Sequence, residues 1–254
     1  MEFTLNYKNI MLPLIMMLLF VYLGYGQDYT CSRATYYGSP DCLGNPTGAC
    51  GYGEYGRTVN NGYVAGVHRP YRNGTGCGGC YQVRCKTGDC TDDGVVVVAT
   101  DFGVGDWTDF LFTAKAYAKM ARPGLEAQLL SYGVVDIEYR RVPCTFRGSN
   151  LIVTVHEGTK YPYYFAITIV YPMGLYDVVG VQIWQEDCQE WRPMRKPFGA
   201  VWDMENPPRG GGAYRIRFLL SISGSTNDAT WVESPTPIPA YWKAGANYEL
   251  TIKL

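Results

Sequence analysis

Cysteine placement constrains the fold of this chain more than any other feature of its sequence. Four cysteines crowd between positions 77 and 90, a density that predicts a disulfide framework in an oxidising compartment. The pair Cys77-x-x-Cys80 also has the spacing of zinc ligands, so a metal site is the alternative, although we expect none. Cys188 stands alone in the second half, and we predict a buried free thiol there. The other eight cysteines lie in the first 144 residues: Cys31, Cys42, Cys50, Cys77, Cys80, Cys85, Cys90 and Cys144.

A run of four valines, residues 95–98, follows this cluster and leads to Thr100-Asp101. Consecutive β-branched residues favour a buried strand over a helix. Such a strand places a carboxylate at the rim of a core, where sites are often built. On spacing alone, Asp101 is equally well explained as a residue that caps a turn.

The amino terminus has the pattern of a secretory signal over residues 1–26. Lys8 precedes an uncharged apolar stretch at residues 10–23, and small residues lie before Gln27. A membrane anchor is the alternative, but the stretch is short for a bilayer span. We therefore expect a secreted protein without membrane insertion after cleavage. The sequon Asn73-Gly74-Thr75 then predicts a glycosylated, solvent-facing loop.

Composition excludes one class of partner and indicates another. The net charge of the 254 residues is −1 and no basic run exists, so we expect no nucleic-acid binding. The chain holds 22 tyrosines and 6 tryptophans, whose flat faces and polar tips suit sugars or protein partners, although many will belong to the core.

The pattern of elements changes near residue 145. Before it, a helix is expected at residues 113–121, a second one at 125–132, and an alternating strand at 134–142. After it, short strands with turns between them predict a β-sandwich at 151–156, 163–171, 178–184, 214–222 and 248–254. We place the domains at residues 27–146 and 150–254.

Taken in order, several motifs resemble the expansin family, and most closely its expansin-like B subgroup. The resemblance implies a mainly β chain: a six-stranded double-psi β-barrel with short helices, similar to family 45 endoglucanases, then an immunoglobulin-like sandwich that binds polysaccharide. It covers nearly the whole mature chain. The motifs are Thr35-x-Tyr37-Gly38, Gly48-Ala-Cys-Gly-Tyr-Gly53, Cys77-Gly-Gly-Cys80-Tyr-x-Val-x-Cys85, Thr100-Asp101, Tyr139-Arg-Arg-Val-Pro-Cys144, Trp191-Arg-Pro-Met194 and Gly199-Ala-Val-Trp202.

The resemblance also implies a disulfide pairing, which spacing alone leaves open among fifteen connectivities for six cysteines. The family pattern pairs Cys50 with Cys77, Cys80 with Cys144 and Cys85 with Cys90. Cys31 and Cys42 are left as a possible fourth pair.

The catalytic question depends on carboxylates. Inverting glycoside hydrolysis needs a general acid and a general base about 6.5–9.5 Å apart. Asp101 matches the family's Thr-Asp motif, but a gapless match to the family's His-Phe-Asp motif puts Leu111 at the acid position. Asp109 lies two residues away and Asp106 is a weaker candidate, while Asp41 lies beyond the segment that would carry a base. We therefore expect no enzyme, with a weak endoglucanase-like hydrolase using Asp101 and Asp109 as the alternative.

Binding residues are expected in both halves. Thr35, Tyr37 and Asp101 would form a polar cluster in the barrel groove, where they hydrogen-bond sugar hydroxyls or hold the loops together. The family's aromatic platform maps to Tyr164, Phe198 and Trp242. Trp191 and Trp202 are weaker candidates for it and favour the core.

These expectations combine into one function. The resemblance implies a secreted plant cell-wall protein that binds cellulose, xyloglucan or another matrix glycan and loosens the wall without hydrolysis. We expect a monomer without a cofactor. A wall-binding module without loosening activity is a second alternative.

Overall fold

A computed structural model of the protein describes residues 28–105, 107–145, 151–170, 175–209, 212–222 and 224–252. The predicted signal at 1–26, the candidate Asp106 and the chain between the two predicted domains, 146–150, lie outside the described residues. No helix in the described ranges is long and apolar enough to cross a membrane.

The first half folds into a closed barrel of six strands. Their order is β1-β5-β2-β4-β3-β6, with parallel pairs at β1–β5 and β2–β4 and antiparallel pairs elsewhere. Aromatic and β-branched side chains such as Phe110, Phe112 and Val97 fill the interior. This arrangement confirms the predicted double-psi barrel. The strands are β1 Thr30–Tyr37, β2 Val64–Val67, β3 Cys80–Cys85, β4 Val95–Phe102, β5 Phe110–Thr113 and β6 Val135–Val142.

Three short helices accompany the barrel, α1 Glu54–Thr58, α2 Ala114–Ala118 and α3 Glu126–Ser131. Thr113 begins α2 as expected, since the backbone N–H of Ala116 donates to its Oγ1 at 3.3 Å. The helix ends earlier than the predicted residue 121, since Met120 N and Ala121 N donate three residues back, to Tyr117 O and Ala118 O, in a tighter turn. The 3₁₀ turns are Val59–Gly62, Arg69–Gly74 and Thr226–Asp228.

The second half is a sandwich of two antiparallel sheets. One has the order β10-β9-β13-β14, and the other has the order β11-β12-β8-β7-β15. Large apolar residues such as Phe165, Ile183 and Phe218 are buried between them. The sequence analysis missed β10, β11, β12 and β14, each of which spans four or five residues. The strands are β7 Leu151–Val155, β8 Tyr164–Ile169, β9 Asp177–Gln185, β10 Glu190–Pro193, β11 Arg195–Phe198, β12 Val201–Glu205, β13 Ile216–Ser221, β14 Thr230–Glu233 and β15 Asn247–Leu250.

Three disulfides cross-link the barrel and its loops, and all three follow the pairing implied by the family. They join Cys50 to Cys77, Cys80 to Cys144 and Cys85 to Cys90.

The expected pairing of Cys31 with Cys42 was wrong, and Cys188 is free as predicted but not buried. Cys31 and Cys42 are free and exposed. Cys31 lies near the start of β1 and Cys42 beyond its end, with about 20 Å of strand between. A disulfide needs Cα atoms about 5.5 Å apart, so this placement does not allow the pair. Cys188 is exposed rather than buried, because it lies in the charged turn between β9 and β10.

Backbone and ionic contacts join barrel and sandwich. Ala200 N donates to Cys50 O at 3.0 Å, and Ala200 packs with the Cys50–Cys77 disulfide. Asp177, at the start of β9, is buried between Arg141 Nη1 at 3.2 Å and Arg72 Nη2 at 2.7 Å, both from the barrel. These contacts fix the sandwich against β6 and the loops on either side of β2.

Candidate functional site

A groove of about 440 Å³ crosses one end of the barrel. The end of β1 contributes Tyr37, the end of β4 contributes Asp101, and β5 contributes Leu111. The floor includes Gly66 of β2, where the register of the β2–β4 pair shifts by one residue. A Cβ at position 66 would come within 3.1 Å of the backbone of Gly103, so a glycine allows the two chains to meet there.

Asp101 is held in a fixed orientation by the loop beside it. Its Oδ1 accepts from Ala49 N at 2.6 Å and Phe102 N at 2.8 Å, and its Oδ2 accepts from Asn45 Nδ2 at 3.1 Å. A Cβ at Gly48 would lie 3.1 Å from the Asp101 carboxylate carbon, so the loop packs tightly against it. The turn-capping explanation is thus partly correct, while the carboxylate still lines the groove.

Tyr37 supplies a hydroxyl donor. Burial, followed by the nearby Asp101 carboxylate, raises the pKa of Tyr37 to about 12. The phenol therefore stays protonated at any physiological pH. Thr35 does not join this cluster: its Oγ1 donates to Gly133 O at 2.9 Å and it is absent from the groove lining. That bond ties β1 to the turn after α3.

Leu111 occupies the groove where the family motif predicts an acid. In the parallel β1–β5 pair it lies opposite Thr35, and its neighbours Phe110 and Phe112 point into the core. A leucine side chain donates no proton, so this position supplies apolar surface next to Asp101 and Tyr37.

Asp109 belongs to a different environment. It is 3% exposed and accepts from Ser32 Oγ and Arg69 Nε, both at 2.7 Å, and it does not line the groove. Burial raises its pKa, but the hydrogen bonds from Arg69 and Ser32 outweigh this effect, so the pKa lies below its ordinary value. A general acid needs a raised pKa, and Asp109 has the opposite.

Sequence reasoning undervalued Asp41 and missed Arg57 and Asn45, which all line the same groove. Asp41 pairs with Arg57 of α1 and accepts from Leu43 N at 3.1 Å. These polar groups add hydrogen-bond donors and acceptors to the groove. The Ser-Pro-Asp spacing marked a turn and gave no sign of the long-range pairing with Arg57.

A second groove, of about 530 Å³, lies between the barrel and the sandwich. Pro46 lines both grooves, so the two lie side by side. Phe198 at the end of β11 is 46% exposed and lines the sandwich side, with the His156 ring 6.2 Å away. Thr154 and Thr168 continue this lining onto the outer face of the five-stranded sheet.

The expected platform is only partly present on that sheet. Tyr164 is half-buried, and its hydroxyl donates to Asp203 Oδ2 at 2.8 Å. Asp203 also accepts from Arg195 Nε at 2.9 Å, which fixes the tyrosine ring on the sheet surface. Tyr164 pairs with Glu205 and Phe198 with Val201, so the two rings lie about 13 Å apart along β12.

The assignment of Trp242 to the platform was wrong. Trp242 is 3% exposed and packs against Phe165 and Tyr161, each at 4.9 Å between ring centroids. Trp202 is likewise buried in the sandwich core. Trp191 is half-buried on the other sheet, where it pairs with Trp184 on the far side from Phe198.

No group of three or more His, Cys, Asp or Glu in the described ranges is arranged to hold a metal ion.

Comparison with known proteins decides the family. Over 229 residues the chain is 56% identical to Expansin-like B1 of Arabidopsis thaliana, covering 89% of this chain and 90% of that protein. The chain belongs to the expansin family. It is also 38% identical to Expansin-like B1 of Oryza sativa subsp. japonica, with 89% of both chains covered. These two matches support its place in the expansin-like B subgroup.

Domain and structure comparisons agree with an expansin. Residues 151–235 match the Expansin C-terminal domain, and residues 63–139 match a barrel model described as lytic transglycolase. The crystal structure of the apo expansin of Clavibacter michiganensis has a TM-score of 0.61 at 18% identity, covering 87% of this chain and 96% of that one. A mutant of that expansin, solved in complex with cellohexaose, gives the same TM-score at 16% identity.

Proposed function

We propose that this expansin is secreted to the plant cell wall, binds neutral wall polysaccharide and loosens the wall without hydrolysis. The observation that carries the proposal is the groove itself. It presents the Asp101 carboxylate and the Tyr37 hydroxyl to a ligand, and its lining includes Leu111, the residue that the family match puts at the acid position.

The chemistry of the groove supports binding over bond cleavage. An inverting hydrolysis requires one protonated and one ionised carboxyl group across the scissile bond. The only second carboxylate that lines this groove among the described residues is Asp41, which is ion-paired with Arg57. Asp109, the other proposed partner, hydrogen-bonds Arg69 away from the groove.

A polymer bound along this surface would contact both domains. The barrel groove offers hydrogen bonds, and the adjacent groove offers the exposed ring of Phe198, with Tyr164 further along the sheet. Binding to one chain of a polymer assembly competes with the contacts that this chain makes to its neighbours. We propose that this competition loosens the wall.

The test is creep of heat-inactivated wall strips under load, measured beside the release of reducing ends from cellulose and xyloglucan. We expect extension without new reducing ends, and Asp101→Asn should reduce extension. Release of reducing ends that Asp101→Asn abolishes would establish the hydrolase instead. Binding without extension would establish a wall-binding module.

Several further properties belong to the same proposal. The domains are residues 27–146 and 150–254, the signal is residues 1–26, and the mature chain is a monomer. A glycan on Asn73 is supported by the exposure of that side chain in the turn Arg69–Gly74. Endoglycosidase treatment of the secreted protein, with Asn73→Gln as the control, tests the glycan.

A further inference from the structure

A third cleft lies at the end of the sandwich that faces away from the barrel. We call it the distal cleft, and its volume is about 420 Å³. Strand β12 starts at Val201, beside Gly51 of the barrel, and ends at Glu205, close to the distal cleft. The cleft is therefore separated from Phe198 by the length of the sandwich. Its lining includes Tyr161, Trp184, Glu186, Arg209, Arg215 and Tyr241.

Aromatic rings form the apolar part of the distal cleft. Tyr241 is 82% exposed and Tyr161 is 51% exposed, and their ring centroids lie 6.3 Å apart. Tyr161 packs on the buried Trp242, and Trp184 packs edge-on against Trp191 at 5.4 Å. Rings that are exposed on one side and held on the other are typical of interaction sites.

Guanidinium groups form the polar part. The Cζ of Arg215 lies 5.0 Å from the Trp184 ring centroid, and its Nε donates to Glu233 at 2.8 Å. The Cζ of Arg209 lies 5.1 Å from the Tyr163 ring centroid, and no described carboxylate pairs with it. An arginine that stacks on a ring keeps its planar N–H edge available for a carboxylate, which it binds with two hydrogen bonds.

The charges of the distal cleft favour an anion. The cleft lining holds two guanidinium groups and one carboxylate, Glu186, which is already engaged by Trp184 Nε1 at 2.7 Å. Glu233 lies outside this lining and pairs with Arg215, so Arg209 is the guanidinium without a described carboxylate partner. A third guanidinium group, that of Arg217, lies on the four-stranded sheet beside the cleft. Its Cζ is 4.3 Å from the Trp191 ring centroid and 4.6 Å from the Trp231 ring centroid. This local excess contrasts with the net charge of −1 for the whole chain.

We propose that the distal cleft binds a uronate-bearing polysaccharide. Sugar rings stack on Tyr161, Tyr241 and Trp184, and their carboxylates bind Arg209 and Arg215. This inference goes beyond the proposed function, because it uses a different end of the molecule and a different class of polymer. A chain with both sites joins a neutral polymer to an acidic one.

The experiment titrates the full mature protein with hexagalacturonate and with its methyl ester, by calorimetry at low and moderate salt. We expect binding of the acid that weakens with salt, and binding of the ester about tenfold weaker or worse. Arg209→Gln with Arg215→Gln should weaken the acid about tenfold. Glu186→Gln removes a repelling charge but keeps an acceptor for Trp184, so it should strengthen binding about twofold or more.

Two controls separate this site from the grooves. Phe198→Ala should leave hexagalacturonate binding unchanged, and so should Arg33→Gln on the barrel. Equal affinity for acid and ester, or full affinity in the arginine double variant, would overturn the proposal. Dimerisation that the double variant abolishes would show instead that the surface binds a second copy. If the arginine double variant unfolds at a lower temperature than wild type, the Glu186→Gln variant decides the question instead. Weaker hexagalacturonate binding by Glu186→Gln than by wild type would refute the proposal.

Discussion

Asp109 accepts two hydrogen bonds from Arg69, one from the backbone N–H at 3.3 Å and one from Nε at 2.7 Å. Together with the bond from Ser32, they join the start of β5 to β1 and to the turn Arg69–Gly74. The same turn contains Arg72, which reaches Asp177 of the sandwich. The carboxylate considered as a catalytic group thus holds the loop that meets the second domain.

The substitution Asp109→Asn should destabilise the protein by about 1–3 kcal/mol, because a buried, charge-assisted network loses its negative charge and one of its two acceptor oxygens. Urea unfolding monitored by tryptophan fluorescence measures the change. Asp136→Asn is the matched control, since this exposed carboxylate lies 4.0 Å from Arg33 and should change stability by less than about 0.5 kcal/mol. Equal effects of the two substitutions would contradict a structural role for Asp109.

The pH dependence of the Asp109 contribution has a definite sign. The folded-state pKa of Asp109 lies below its unfolded value, so the contribution is complete above the unfolded value near 4. It is lost as the pH falls through the lower folded-state pKa. The stability difference between wild type and Asp109→Asn should therefore shrink below about pH 4. A difference that grows as the pH falls below about 4 would refute the depressed pKa.

Phe198 and Trp242 should separate binding from stability. Phe198→Ala removes an exposed ring from the interdomain groove, so insoluble cellulose should retain less protein at unchanged melting temperature. Trp242→Ala leaves a cavity in the sandwich core and should cost about 3–5 kcal/mol. At a temperature where this variant is still folded, its retention should equal that of wild type. Loss of retention by a fully folded Trp242→Ala would restore the platform assignment.

Asp177 should hold the two domains together. Removing its charge by Asp177→Asn leaves Arg141, a buried guanidinium, without its carboxylate. We expect the sandwich to loosen from the barrel, with a larger radius of gyration in X-ray scattering and two unfolding transitions in place of one. Asp203→Asn, which affects an ion pair inside the sandwich, is the control and should leave the radius unchanged. An unchanged radius for Asp177→Asn would show that backbone contacts such as Ala200–Cys50 suffice.

Local patterns predicted the architecture well, while sites that depend on long-range placement were harder to predict. The valine run at 95–98 favours a buried strand, which the structure has as β4, and the gapless match through α2 predicts Leu111 at the acid position. Trp242 was misassigned because it lies outside any strand, where no alternation distinguishes a buried ring from an exposed one. The distal cleft gave no sequence signal, since Tyr161, Trp184 and Arg209 come from separate segments.

Thiol counting tests the cysteine assignment directly. Nine cysteines with six in disulfides leave three thiols, and Cys31, Cys42 and Cys188 are all exposed. An aromatic disulfide reagent should label three thiols per native chain, and denaturation without a reductant should reveal no others. Lys86 Nζ lies 3.0 Å from Cys31 Sγ, and this cation attracts a reagent that carries carboxylates, so Cys31 should react fastest. Lys86→Gln should slow the labelling of Cys31 and leave the total at three labelled thiols per chain. A native count of one would show that Cys31 and Cys42 pair in solution, against the separation along β1.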